Sequence, residues 1–493
     1  MTKKEKKMPE FHSRFQELQR RVPIDEHNCS VKFDETKCKN CTLCRRACAN
    51  TQTVMDYYYL PSTGDMPLCV HCGQCASVCP FGAITEINDV AKVKAAIADP
   101  DKIVIFQTAP AVRVGLGEAF GMDPGTLVEG KMVSALRTLG GNYVFDTDFG
   151  ADLTIMEEAT ELLHRLQSEE IPIPQFTSCC PAWVEFAETF YPELIPHLSS
   201  TKSPISIMSP VIKTWFAQKN NIDPKKIINV CVTPCTAKKA EIRRPEMNAS
   251  SVFWDMPELR DTDICITTRE LAEWIQEEEI DFTNLEESPF NKAFGDSSGG
   301  GKIFGNSGGV MEAAIRTAYY FFTGRKASKD FIPFEPVRGL QGVKKATVVF
   351  GHFVIHVAAI SGLGNARAFI DDLIKHDSFE EYSFIEVMAC PGGCIGGGGQ
   401  PKVKLPQVKK VQEARASALY KTDAETDMKA SWENPEIQEL YTQFLDEPLS
   451  EMAEMALHTY FTDKSDQLGK MKKVTPETNP MSTRFKPHTE NNI

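Results

Sequence analysis

Between positions 38 and 79 the spacing C-x2-C-x2-C-x3-C occurs twice. Cys38, Cys41, Cys44 and Cys48 set the first copy; Cys69, Cys72, Cys75 and Cys79, followed by Pro80, set the second. Nothing else in the chain constrains its folding as strongly. Such short spacing lets three thiolates of each run wrap one centre while the fourth crosses to the other. The chain holds 16 cysteines among 493 residues. No apolar run follows MTKKEKKMPEFHSRFQELQRR, so export is not expected, and thiols at this density then point to metal rather than disulfides.

The spacing predicts two 4Fe-4S clusters in a fold like that of bacterial ferredoxins, which end the motif in Cys-Pro. One cluster takes Cys38, Cys41, Cys44 and Cys79, and the second takes Cys69, Cys72, Cys75 and Cys48. Structural zinc also uses C-x2-C pairs, but the duplicated eight-cysteine order favours iron and sulfur. The first copy ends Cys48-Ala49, a departure that touches the turn and not the ligands. His71 reads as a solvent-facing spacer. A two-cluster module is an electron wire, so it must feed something else in the chain.

The net charge of -13 argues against non-specific nucleic-acid binding. Residues 1–50 nevertheless carry twelve Lys/Arg against seven Asp/Glu, a basic front end on an acidic body. The most apolar stretch, 346–364, is broken by Gly351-His352 and reads as a hairpin of strands 346–350 and 353–360, not a membrane span. A cytoplasmic monomer is expected. KIVIF (102–106), NYVFD (142–146), KIINVCV (226–232) and DICITT (263–268) read as buried strands. Amphipathic helices are predicted at about 154–168, 182–190, 269–278, 309–322 and 365–375. The alternation predicts a two-lobed α/β catalytic domain with mainly parallel sheets, preceded by the small α+β ferredoxin-like domain. The expected division is a polar leader at 1–30, the two-cluster domain at 31–95, the catalytic domain at 98–405, a helical segment at 406–463 packing on it, and a flexible tail at 464–493.

Three segments at or after strand ends carry further cysteines: TSCCPAW (177–183), VTPCTAKKAEI (232–242) and EVMACPGGCIGGGGQP (386–401). One cysteine from each of the first two, with Cys390 and Cys394, makes a third four-thiolate site. The glycines around Cys390 and Cys394 read as room for a bulky ligand against backbone. Lys238, three residues after Cys235, reads from spacing alone as an exposed charge. Cys231 and Cys265 alternate into apolar strands as core residues; Cys29 also lies outside the clusters.

In this order, behind a two-cluster module, the three segments resemble the signature of iron-only (FeFe) hydrogenases over about residues 31 to 460. The resemblance implies an enzyme that reversibly reduces protons to molecular hydrogen at an H-cluster, a 4Fe-4S cubane joined to a two-iron unit with CO, cyanide and a bridging dithiolate. It implies Cys180, Cys235, Cys390 and Cys394 as cubane ligands, Cys394 also bridging to the two-iron unit. Lys238 would hydrogen-bond a cyanide, and Ala109, Pro110, Ala111, Ser203, Thr233, Phe304 and Met388 would line the pocket. Cys179 would carry the proton, since a thiol of movable pKa can do so without binding metal. The family relay of thiol, Glu, Ser, Glu and Arg matches Cys179, Glu158, Ser199, Glu161 and Arg165. Read without the resemblance, Glu161–Arg165 is an exposed i,i+4 ion pair worth a few tenths of a kcal/mol.

Thr233 stands where the usual motif has Met, and Ala182 where many members have Gly; members with TPCTAKK look like a subgroup. The resemblance implies ferredoxin or flavodoxin as electron carrier and dedicated maturation proteins as partners. GDSSGGGKI (295–303) lacks the first Gly and the Ser/Thr of a phosphate loop. No GxGxxG precedes a helix, so direct NAD(P)H use is not expected. Rival readings are a hydrogen sensor that binds the same cofactor, an iron–sulfur assembly protein of the superfamily, and one subunit of an NADH-linked bifurcating assembly.

Overall fold

A computed structural model describes residues 21–168, 170–327, 335–336, 342–350 and 353–469. Most of the expected leader and most of the expected tail lie outside the described residues. Among the described residues eleven strands, numbered in chain order, form three sheets. The smallest pairs β1 (Val31–Phe33) with β2 (Ile84–Glu86), antiparallel, Lys32 opposite Thr85. It closes the cysteine-rich module, whose small apolar core of Val31, Ala76, Ala83 and Ile84 packs against Cys38, Cys44, Cys75 and Cys79.

The second sheet is wholly parallel. Its order is β4 (Tyr143–Asp146), β3 (Ile103–Thr108), β6 (Ile227–Thr233), β7 (Ile264–Thr267). The four predicted strands are these four, shifted by a residue or two. β7 is buried at every residue, β6 at all but one. Helices cover both faces of a parallel sheet, so its strands need apolar residues throughout.

The third sheet orders β5 (Gln175–Phe176), β11 (Phe384–Met388), β10 (Phe353–Ser361), β9 (Val343–Phe350) and β8 (Glu335–Pro336). The first three run parallel, and the predicted hairpin, β9 and β10, continues the sheet antiparallel.

Helices α1 (Thr147–Gln167), α2 (Pro181–Phe190), α3 (Pro204–Val211), α4 (Gly309–Thr323), α5 (Leu363–His376) and α6 (Val408–Glu425) position the functional segments. Asp146, the last residue of β4, caps α1 by accepting from the Asp148 amide at 3.0 Å, so strand passes into helix without a loop. α1 lies between α3 and α4. Gly150 permits this approach, because a Cβ there would sit 2.3 Å from the Pro204 carbonyl oxygen.

Charged groups bind the cysteine module to the body. Arg269 donates to Glu86 at 2.7 and 2.8 Å and also to the carbonyls of Gly398 and Gln400. Lys239 donates to Asp89 at 2.8 Å, and Arg367 to the Thr53 carbonyl at 3.0 Å.

Candidate active site and electron path

Parallel strands place functional loops at their carboxyl ends, and both large sheets do so here. Ala109, Pro110 and Ala111 follow β3, Thr147 follows β4, and Thr233 ends β6 just before Pro234 and Cys235. From the other lobe, Cys179 and Cys180 follow β5, and Ala389 and Cys390 follow β11. These edges meet around one cavity of about 670 Å³ not filled by protein atoms. Cys179, Cys180, Cys235, Cys390 and Cys394 all reach it, with Lys238, Phe304 and Met388.

The donor set fits an iron–sulfur centre. Four thiols with no hard oxygen ligand between them select soft metal chemistry. N–H groups are aimed at sulfur: the Ala389 amide at Cys180 Sγ, 3.4 Å, and Gln74 Nε2 at Cys390 Sγ, 3.2 Å. Burial pushes all four thiols up, Cys235 to about 12. Thiolates so enclosed need a cationic partner, which a cluster provides.

The module repeats this chemistry. Cys38, Cys41, Cys44 and Cys79 line a second cavity, of about 350 Å³. Cys48, Cys69, Cys72 and Cys75 form a second group whose charges act on one another. The duplicated spacing is mirrored in the backbone. Asn40 and His71 take φ of 51° and 61°, and Thr42 and Gly73 both take 68°, so each loop turns left-handed at matching places. The Asn40 and His71 amides point at Cys38 and Cys69 sulfurs at 3.5 and 3.3 Å. His71 is not solvent-facing as expected. The residue is half-buried, with Nδ1 buried and unpartnered among the described residues, and burial lowers its pKa.

Lys238 is buried, not exposed. It donates to the Cys179 carbonyl at 3.2 Å and pairs with Glu241 at 2.6 Å. Burial opposes its charge, but Glu241 and the neighbouring thiols hold its pKa up at about 12.

The ion pair on α1 is also buried: Glu161 is 9% exposed and Arg165 5%. Arg165 donates to Glu161 Oε1 at 2.8 and 3.1 Å, and also to the carbonyls of Pro172, Pro196 and Leu198. Ser199 Oγ donates to Glu161 Oε2 at 2.7 Å. One turn inward, Glu158 is fully enclosed and its Oε2 has no partner among the described residues. Burial drives its carboxyl well above the usual range; Glu161 and Glu386 add to this, while Ser199 and Arg165 oppose it. Burial likewise raises Cys179, and the charge of Glu158 is the next cause.

Two expectations need correction. Ser203 caps α3, accepting from the Ser206 amide, and it is the next residues, Pro204 and Ile205, that face the cavity. The glycine run does not chiefly make room for a cofactor. A Cβ at Gly396 would meet the Pro391 carbonyl at 2.2 Å, at Gly397 the Pro234 carbonyl at 2.3 Å, and at Gly398 the Cys72 carbonyl at 2.2 Å. The loop is threaded between the Cys235 loop and the module, and only glycine passes. The Thr233 hydroxyl is engaged too, accepting from the Cys235 amide at 3.3 Å. Cys231 and Cys265 are buried beside Ile205 and Ile242, as expected.

Sequence reasoning missed Thr147, Ile205, Gly305 and Ala389 in the wall. Thr147 and Ala389 could have been found from their places immediately after strands.

A parallel-sheet body with a five-cysteine cavity at its strand ends, wired to a duplicated cysteine module, defines an iron–sulfur oxidoreductase. Residues 102–398 match the family model for the iron only hydrogenase large subunit, C-terminal domain. Residues 409–464 match the iron hydrogenase small subunit, and 64–85 the 4Fe-4S binding domain. The NADP-reducing hydrogenase subunit HndD of Solidesulfovibrio fructosivorans is 44% identical over 88% of this chain and 75% of its own. Iron hydrogenase 1 of Clostridium pasteurianum is 41% identical over 88% of this chain and 76% of its own. The apo structure of the [FeFe]-hydrogenase HydA1 from Chlamydomonas reinhardtii superposes with a TM-score of 0.68 at 39% identity, covering 76% of this chain and 99% of that one. The chain belongs to the iron-only (FeFe) hydrogenase family. It is an oxidoreductase acting on hydrogen, and its cofactors are 4Fe-4S clusters and the H-cluster.

Proposed function

We propose that this chain interconverts protons and molecular hydrogen with electrons from ferredoxin or flavodoxin, and that Cys179, Glu158, Ser199, Glu161 and Arg165 conduct the proton. When bound, the H-cluster supplies the metal centre at which protons and electrons combine. Cys180, Cys235, Cys390 and Cys394 would hold its cubane, and Cys394 would also serve the two-iron unit. Lys238 offers an ammonium to an anionic ligand there. Ala109, Pro110, Phe304 and Met388 keep water out.

The observation that carries the proton path is the run of buried polar groups on α1. A Ser199–Glu161 hydrogen bond of 2.7 Å continues into the Glu161–Arg165 pair, and the raised Glu158 carboxyl lies between Ser199 and Cys179. A carboxyl whose hold on its proton is strengthened by burial can pass that proton to a neighbouring thiolate and be refilled from the hydroxyl side. Arg165, tied to three backbone carbonyls, holds the outer carboxylate in place at the end of the path.

In this reading residues 31–95 receive electrons, 98–405 perform the chemistry, and 406–463 brace it. α6 supports the bracing role: Arg415 donates to the Ile395 carbonyl at 2.6 Å and Gln412 to that of Pro391 at 3.0 Å, steadying the Cys390–Cys394 loop. Maturation proteins would install the cofactor in a cytoplasmic monomer. Among the described residues no helix is long and apolar enough to cross a membrane.

The test is hydrogen evolution from reduced viologen by anaerobically matured protein, wild type beside Cys179→Ala. The expected result is activity in the wild type, near-complete loss in the variant, and CO and cyanide infrared bands in both. Bands without activity in either protein would favour the hydrogen sensor. Missing bands with competent maturases would favour the assembly protein.

A further inference from the structure

The module reaches a cysteine of the catalytic cavity through Gln74. Gln74 lies between Cys72 and Cys75 at the start of the short helix Gln74–Ser77. Its Nε2 is 3.2 Å from Cys390 Sγ and 2.9 Å from the Gly396 carbonyl oxygen. The second contact fixes the orientation of the amide. A carbonyl only accepts, so the NH₂ end must face it, and the remaining N–H falls on the sulfur. The flipped amide would set an oxygen against both a carbonyl and a thiolate.

A second link runs beside it. Thr236, next to Cys235, donates its hydroxyl to the His71 carbonyl at 2.7 Å, and His71 precedes Cys72. Gly73 lets this second link form, since a Cβ there would lie 2.3 Å from Thr236 Oγ1. The two links flank Cys72, from His71 before it and Gln74 after it; the charge of Cys235 acts on Cys72, and that of Cys72 on Cys390.

We propose that Gln74 is a positioning residue that couples the second 4Fe-4S cluster to the H-cluster and sets the reduction potential of the cubane through its N–H···S hydrogen bond to Cys390. The proposal rests on Cys390 being a cubane ligand. The step is a one-electron transfer: the second cluster is oxidised, the cubane is reduced, and no bond or proton changes place. A donor on a ligating thiolate stabilises the more negative, reduced form and so raises the potential. With the donor gone, the cubane accepts the electron less readily.

The same interface supplies a control. Ser77 Oγ donates to the Gly398 carbonyl at 3.2 Å, crossing from module to body without touching sulfur. Matured wild type, Gln74→Leu, Gln74→Glu and Ser77→Ala are titrated potentiometrically, with the H-cluster followed by infrared and electron paramagnetic resonance. In Gln74→Leu the cubane midpoint moves to more negative potential, and the CO bands move to lower wavenumber. Gln74→Glu, equal in length but without a donor when ionised, moves both the same way and keeps the test available if the leucine variant does not fold. Ser77→Ala stays at the wild-type midpoint and bands. Wild-type midpoint and bands in the Gln74 variants, or an equal shift in Ser77→Ala, overturn the inference alone. Absence of CO and cyanide bands in the wild type overturns it together with the reading it rests on.

Discussion

Cys179 and Cys180 are sequence neighbours, yet their surroundings separate them. Cys180 accepts a backbone N–H, which suits a thiolate ligand. Cys179 is pushed well up by burial and by the charge of Glu158, which suits a thiol that keeps its proton. Glu158 is therefore the residue on which the relay hinges. Glu158→Gln preserves shape and hydrogen bonding but cannot shuttle a proton, so hydrogen evolution should fall by about 10²-fold or more. The CO and cyanide bands should remain. Retention of most of the wild-type rate would remove Glu158 from the path. The ligands were legible in the sequence because cluster geometry dictates cysteine spacing. Glu158, Glu161 and Arg165 were legible only through family resemblance, since i, i+3 and i+7 define a helix face and say nothing of what covers it. Gln74 was not legible at all: its partner, Cys390, lies far away in the chain.

At the scale of elements, strands and helices came out close to their sequence patterns, because apolar runs and period-3.6 stripes report burial directly. α1 is the exception in kind. Of the apolar stripe its sequence sets out, Ile155, Ala159, Leu162, Leu163 and Leu166, the first four are buried and Leu166 is half-buried. Most of the opposite face is buried too, however, covered by α3 and α4 with a polar network inside. Another buried carboxylate joins two elements. Glu386 of β11 accepts from the Gly308 and Met311 amides at 2.6 and 2.8 Å, capping the start of α4 where Gly308 has no side chain to do so. Burial nevertheless raises its pKa from 4.5 to about 7. The sign follows. Below about 4.5 both folded and unfolded chains hold the proton; as pH rises toward about 7 the unfolded chain releases it first, and stability is lost across that window. A shift of this size corresponds to roughly 3 kcal/mol. Glu386→Gln lacks this slope, although it keeps only one oxygen for two amides, at a cost of about 1–3 kcal/mol. Thermal unfolding of the matured protein should show the variant less stable at pH 5 and level with or above the wild type at pH 8. A constant gap between the two pH values would show that Glu386 does not titrate in this range.

At the scale of the molecule, the sequence announced a wire and a reactor but not how they join. Two lobes presenting strand ends to one cavity follow from α/β topology. The seam between module and body, by contrast, depends on residues without local pattern. They are single glycines, Thr236 and Gln74, beside the charged pairs of Arg269 with Glu86 and Lys239 with Asp89. The same assembly decides where electrons enter. The cavity lined by Cys38, Cys41, Cys44 and Cys79 reaches the surface: Cys41 is exposed and Phe81, in its wall, is 46% exposed. Basic side chains from two parts of the chain surround it. Arg21 and Lys39 line it and Lys402 donates to the Cys79 carbonyl at 3.2 Å, while Lys32, Lys37, Lys402 and Lys404 line a separate groove that starts at Gly82. Residues 1–20 of the basic front end lie outside the described residues; of the rest, Arg21 and Lys39 border this cluster, joined by Lys402 from far along the chain. An apolar ring amid lysines on an acidic protein suits a small acidic carrier that is steered in by charge and released easily. Steering between exposed charges is screened within about 10 Å at 0.1 M salt. With reduced ferredoxin as donor, the KM for the carrier should therefore rise severalfold between low and moderate ionic strength, with kcat little changed, while viologen-driven rates stay level. Lys39→Glu combined with Lys404→Glu should reproduce the high-salt KM at low salt and leave the viologen assay untouched. If ferredoxin and viologen respond alike to salt and to the double variant, the carrier docks elsewhere and this cluster is not the point of entry.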